Sequence, residues 1–180
     1  ASMAIIDQNT ALIEMAGTSG LRLLKKEEQN PATASSFGTG QVIHHAIKKG
    51  YKKIILGVGG SATVDGGTGI LRALGFRFMN QKNEEIPFGG IHLKKIKKII
   101  SPSVALPDEF MIKILCDVDN PLLGINGAAR VFAPQKGADP EQVRALEEAL
   151  ANFAEVVYKQ TGKDISSIPF GGAAGGTPVG

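Results

Sequence analysis

The stretch KIILGVGGSATVDGGTGILRAL, residues 53–74, decides how this chain is read. Lys53-Ile54-Ile55-Leu56 is a short apolar run of the kind that forms a strand buried on both sides. Directly behind it, Gly57 to Gly67 hold five glycines, two hydroxyls and one carboxylate. A helical pattern then resumes near Gly69 to Leu74. The loop offers a run of unpaired backbone N–H groups from Gly59 to about Thr63, at what reads as a helix N-terminus. Such a run attracts a phosphate or carboxylate, and glycine lets the anion approach closely. Ser61 and Thr63 could add hydroxyl donors, and Asp65 could hold a magnesium ion or accept a proton. The plainer alternative is a tight turn in which Ser61 or Thr63 only caps the helix.

Working outward, Ala11 to Ala16 reads as a strand, followed by a short helical turn through Leu21 to Leu24. Gly38-Thr39-Gly40 opens a helix with Thr39 as N-cap, an apolar face of Val42, Ile43, Ala46 and Ile47, and Gly50 as its stop. Phe76 to Met79 and Met111 to Cys116 read as further strands. The clearest helix starts at Asp139: Asp139 caps it, Pro140 takes the first helical position and Gln142 completes a capping box. Val143, Leu146, Leu150, Phe153 and Val157 hold helical spacing until Thr161-Gly162. Strands alternating with helices predict an α/β fold, a mainly parallel sheet with helices on both faces. In such sheets ligands bind at the carboxyl ends of the strands.

Composition narrows the function classes. With 43% apolar and 21% charged residues, the 180-residue chain has the make-up of a soluble protein and can bury one good core. The 23 glycines exceed the roughly 13 of average usage, yet they cluster at segment ends, as loop chemistry does. A net charge of +3 suits small anionic ligands and does not call for nucleic acid. Lys94-Lys95-Ile96-Lys97-Lys98 lacks interleaved aromatics and reads as a solvated face over buried Leu93, Ile96 and Ile100. Cys116 is the single cysteine, which predicts a buried strand residue, no disulfide and a reducing, cytoplasmic setting. No apolar run reaches membrane-spanning length, so neither a membrane nor nucleic acid is expected as partner. His44 and His45 have no third ligand nearby.

Two further segments can carry chemistry. In Cys116-Asp117-Val118-Asp119-Asn120-Pro121, Asp117 and Asp119 share a face of extended chain. Two carboxylates at a strand end suit magnesium, which takes one or two of them plus phosphate oxygens; an Asx turn before Pro121 is the alternative. In Pro134-Gln135-Lys136-Gly137, a framed lysine could present a fixed positive charge to a phosphate, or be an ordinary turn lysine. Gly57-x-Gly59-x-x-Ala62 can also be read as a relaxed dinucleotide fingerprint. That reading predicts a nicotinamide-dependent oxidoreductase, but the next strand ends in Asn80 and not in the acidic residue that holds a ribose.

Together, Gly38-Thr39-Gly40, Gly57 to Gly67, Cys116 to Leu122, Pro134 to Gly137 and Gly172 to Gly176 resemble, in order and spacing, the bacterial glycerate kinase family, type I. The resemblance implies a two-domain α/β enzyme with one domain inserted into the other and the active site in the cleft between. It implies Mg2+-dependent transfer of the γ-phosphoryl group of ATP to D-glycerate, giving 2-phosphoglycerate, with 3-phosphoglycerate as the alternative to it. Motifs expected near both ends of the family are absent, so residues 1–180 read as a single α/β domain, largely the inserted one, of a longer enzyme. Gln41 stands where the family often has Glu, and Val64 where it often has Asn. On this reading the catalytic residues are Asp65, Asp117 and Lys136. Thr39, Gly59, Gly60, Ser61, Thr63 and Asn120 bind substrate or phosphate, and Asp117 with Asp119 holds the metal. A non-catalytic anion-binding module is the remaining alternative.

Overall fold

The structure is a computed structural model that describes residues 3–180. Its strands are β1 (Met3–Ile5), β2 (Thr10–Glu14), β3 (Lys53–Gly57), β4 (Arg77–Met79), β5 (Lys98–Ile100) and β6 (Met111–Leu115). The main helices are α1 (Phe37–Lys48), α2 (Thr68–Ala73), α3 (Ala128–Phe132) and α4 (Pro140–Thr161). A four-stranded sheet runs in the order β1-β2-β3-β6, with β3 parallel to both neighbours and β1 antiparallel to β2. Its register lines Ala11, Ile54 and Ile112 across one face, and Ile13, Leu56 and Ile114 beside them. That face packs with Ile43 and Ala46 of α1 and Ile70 of α2 into one core.

The mainly parallel sheet matches the expectation, but the helices are distributed differently. On the other face Leu12 and Ile55 are only half-buried, and Met111, Lys113 and Leu115 of the edge strand are exposed. Helix α4 instead packs on the short turn Gly90–Lys95, on α3 and on β5, building a second core. Strand β4 does not join the sheet: it pairs antiparallel with β5 as a separate ribbon. Phe78 of that ribbon meets Phe153 of α4 edge to face at 6.3 Å, and Leu93 and Ile96 are buried beside them under exposed lysines.

Local chemistry sets most boundaries. Asp139 accepts a hydrogen bond from the Gln142 N–H at 2.8 Å, and the Gln142 amide oxygen accepts from the Asp139 N–H, closing the capping box ahead of Pro140. Helix α1 departs from expectation. It begins at Phe37 behind Ser36, which makes Thr39 an interior residue and not the cap. The glycines around Thr39 serve packing: a Cβ on Gly40 would lie 2.6 Å from the Ala73 Cβ, so Gly40 allows α1 and α2 to touch. No helix among the described residues is long and apolar enough to cross a membrane.

Candidate active site

A cleft of about 300 Å3 opens beyond the carboxyl ends of β3 and β6. Val58 to Ser61 form one wall, Cys116 to Val118 the next, and Phe132, Gln135 and Lys136 a third, with Ala173 and Ala174 closing the ring. Gly59 and Gly60 are exposed, and the N–H groups of Gly59, Gly60 and Ser61 meet no acceptor among the described residues. Gly60 has φ +69°, a left-handed conformation that suits glycine. The segment before α1 pins this loop: the Leu21 N–H donates to the Gly60 carbonyl, and the Ala62 N–H to that of Ser19, each at 2.9 Å.

Lys136 supplies the positive charge. It sits on the turn Pro134–Lys136, held against Gln29 by Gly137, and is 4% exposed. Its Nζ donates to Ser61 Oγ at 2.9 Å and to the Thr63 carbonyl at 2.7 Å. An ammonium has three donors, so one remains for a ligand. Burial pushes the Lys136 pKa down to about 8, while the charge of Asp65 holds it up by a smaller amount. The side chain is therefore poised to titrate not far above neutrality.

Asp65 is turned into the protein, away from the metal or proton-accepting role read for it. It is 0% exposed, and its Oδ2 accepts from the Ser36 N–H at 2.8 Å, the Ser36 hydroxyl at 2.8 Å and the Gly69 N–H at 3.3 Å. Its Oδ1 accepts from the Gly67 N–H at 3.2 Å. Burial nevertheless raises its pKa above the ordinary carboxylate value, against the pull of these donors. The N-terminus of α2 is thus filled by the protein's own anion, which ties it to the start of α1. The loop N–H groups of the cleft lie several residues earlier, so neither Ser61 nor Thr63 caps α2. This also weakens the dinucleotide reading, in which the helix begins at the end of the fingerprint: here Ala62 is followed by five residues before α2 starts at Thr68.

The remaining expected residues divide. Asp117 lines the cleft and is exposed, the sole carboxylate among the lining residues. Asp119 is exposed outside the lining, and no three His, Cys, Asp or Glu side chains gather among the described residues. Asn120 is occupied structurally: its Nδ2 donates to the Asn126 carbonyl and its own carbonyl accepts from the Gly172 N–H, both at 2.8 Å. Thr39 is 0% exposed, its hydroxyl bound to those of Ser19 and Thr18 at 2.9 and 2.7 Å. Thr63 is buried, with its carbonyl on Lys136 and its hydroxyl unpartnered. Cys116 is not a buried strand residue; it lies just past β6, half-buried at the cleft wall.

Sequence reading missed Ser36, Phe132 and Ala174. Ser36 had a signal, because a serine just ahead of an apolar helical pattern is a cap candidate. Ala174 lies inside the Gly172 to Gly176 stretch, a motif that does not single this residue out; it lines the cleft at φ +50°, a strained conformation for a non-glycine residue.

The fold places the chain among α/β proteins whose cleft lies beyond the carboxyl ends of parallel strands. More narrowly, the chain belongs to the glycerate kinase family, whose model matches residues 1–180. It is 44% identical over 178 residues to the glycerate kinase of Halalkalibacterium halodurans, covering 97% of this chain and 46% of that protein. It is 44% identical over 171 residues to the glycerate 2-kinase of Escherichia coli, covering 94% of this chain and 45% of that protein. A crystal structure assigned to glycerate kinase 2 of Salmonella typhimurium LT2 superposes with a TM-score of 0.87 at 41% identity, covering 93% of this chain and 45% of that one. The chain therefore spans about half the length of the relatives it matches.

Proposed function

We propose that this chain supplies one wall of the active site of an ATP-dependent glycerate kinase, which phosphorylates D-glycerate to 2-phosphoglycerate. The observation that carries this reading is Lys136, buried at the cleft and held by Ser61 Oγ and the Thr63 carbonyl, next to the free N–H groups of Gly59 to Ser61. Phosphoryl transfer asks a protein chiefly to position its reactants and to neutralise charge on the phosphoryl oxygens. A fixed ammonium and a row of backbone donors do both, and need no reorganisation when the charge develops.

Within this scheme Gly59, Gly60 and Ser61 hold an anionic oxygen, and Lys136 balances the negative charge. Asp65 is a positioning residue: it fastens α1 to α2 below the loop, and its buried charge favours the protonated form of Lys136. A single exposed carboxylate fits magnesium when substrate phosphates and water complete the shell, and Asp117, exposed on the cleft wall, would hold it. The bound ion would neutralise phosphate charge. Asp119, outside the lining, is a second contributor only if the neighbouring chain brings it inward.

The test is a ¹⁵N titration of the glycine-loop amides with D-glycerate, Mg-ATP and NADH separately, on this chain and on the full-length enzyme. Saturable shifts at Gly59, Gly60 and Ser61 with D-glycerate place the acceptor there, and the same shifts with Mg-ATP place the phosphates there. Shifts with NADH alone would favour an oxidoreductase. Silence from all three ligands in the full-length protein would remove the anion-binding role.

A further inference from the structure

A second cleft, of about 350 Å3, lies on the far side of the glycine loop. Ser61 lines the first cleft, whereas Ala62 and Thr63 line this one, with Ser19, Glu28, Asn30 and Ser35 opposite. Its polar groups are incompletely satisfied in a consistent way. The Thr63 hydroxyl is buried without a partner, in a residue 1% exposed. Ser19 Oγ accepts from the Thr39 N–H and the Thr39 hydroxyl, which fills both its lone pairs and leaves its proton free. Ser35 Oγ accepts from the Phe37 N–H and has no acceptor for its own proton among the described residues. Asn30 Oδ1 accepts from the Ala32 N–H, and its Nδ2 is unpaired among the described residues. Among the described residues the only charged one in the lining is Glu28, whose Oε2 accepts from the Lys25 N–H and whose other oxygen is unengaged.

Of this set Ser19 and Thr63 are buried, Asn30 and Ser35 half-buried and Glu28 exposed. Buried polar groups normally find partners, so the Thr63 hydroxyl in particular marks what is missing. Three hydroxyl protons and an amide call for oxygen acceptors, and the free carboxylate oxygen calls for a hydroxyl donor. Among the described residues no Lys, Arg or His lines the cleft, so a phosphate or carboxylate would meet Glu28 with no compensating cation. A neutral polyol supplies acceptors and donors together. Leu23 and Leu24 add an apolar wall against which the C–H face of a ring can lie, and the volume suits a small ligand.

We propose that this second cleft binds the vicinal diol of a neutral sugar ring, carried either by a free pentose or by the ribose of a nucleoside. The Thr63 hydroxyl and the Asn30 amide donate to the ring oxygens, and Glu28 accepts from one hydroxyl. The site stands independently of the kinase reading, which concerns the other side of the loop.

The experiment titrates D-ribose, adenosine and D-glycerate into ¹⁵N- and methyl-labelled protein, with Thr63→Val and Glu28→Gln alongside. D-ribose or adenosine should give saturable shifts at the Asn30 side-chain amide, Ser35 and the Thr63 methyl, and which of the two binds identifies the source. Affinity should weaken about tenfold in each variant, which corresponds to one lost hydrogen bond of ordinary strength. Because the Thr63 hydroxyl has no partner in the fold, Thr63→Val should leave the unfolding midpoint unchanged or raise it. The proposal is overturned if neither sugar nor nucleoside saturates these signals. It also fails if Glu28→Gln and any folded Thr63→Val protein bind as the wild type does. Shifts from D-glycerate confined to Gly59, Gly60 and Ser61 report on the first cleft, so the two proposals can fail separately.

Discussion

Lys136 gives the sharpest test of the electrostatics. Its pKa lies at about 8 where a free lysine has 10.5, because burial disfavours the ammonium more than the charge of Asp65 sustains it. At pH 7 about nine-tenths of the molecules carry the charge, and at pH 9 about one-tenth do. If an anion in the first cleft is held by that ammonium, its affinity should be flat below pH 7 and fall about tenfold per unit above pH 8. The carboxylate of D-glycerate is ionised throughout, so the ligand contributes no slope of its own. Titration calorimetry with D-glycerate on the full-length enzyme, from about pH 6.5 to 9.5, reads this directly, with Lys136→Met as the control that should be weak and level. Stability must move in the matching sense. Between pH 8 and 10.5 the unfolded chain keeps a proton that the native state has released, so native stability rises with pH across that window. The gain is about 3 kcal/mol relative to Lys136→Met. An affinity level to pH 9.5, or an equal fall in Lys136→Met, would refute the assignment of the charge to this residue.

Three other outcomes are expected. Asp65→Asn puts an amide where four donors converge, so urea unfolding should show a loss of about 2–4 kcal/mol, with activity and fold failing together. An unchanged midpoint would mean that the carboxylate does not organise α2. Gly90→Ala places a Cβ within 1.9 Å of the Val64 carbonyl, which the buried backbone cannot yield, and thermal unfolding should show a loss above about 3 kcal/mol. Asp139→Ala removes the cap of α4 at about 1 kcal/mol, with affinity in the first cleft unchanged; a cost below a few tenths would deny the capping box its role.

What the sequence made legible was local. The capping box of α4, the strand at Lys53–Gly57 and the exposed glycine turn all follow from residues a few positions apart. Lys136 and Ser61 were both identified, although a sequence separation of 75 hid their hydrogen bond. The errors share one cause. Asp65 and Thr39 carry residue types common in active sites, but their partners, Ser36 and Ser19, lie 29 and 20 residues away. Only the fold reveals that those polar groups are already satisfied. Strand β4 was legible, but its antiparallel partner β5 was not, because a three-residue strand inside a lysine-rich stretch has too little alternation to register.

The segment from Thr63 to Gly69 is enclosed by main chain: Gly175 would clash with the Thr63 carbonyl if it bore a Cβ, Gly90 with that of Val64, and Gly69 with the Phe37 nitrogen. Length is therefore fixed there as firmly as composition. One added residue has nowhere to bulge, and one deleted residue would pull the Asp65 carboxylate off its donors. Insertions and deletions among functional relatives should fall instead in solvent-facing stretches such as 81–85 and 103–106, where the backbone can lengthen without disturbing the cleft.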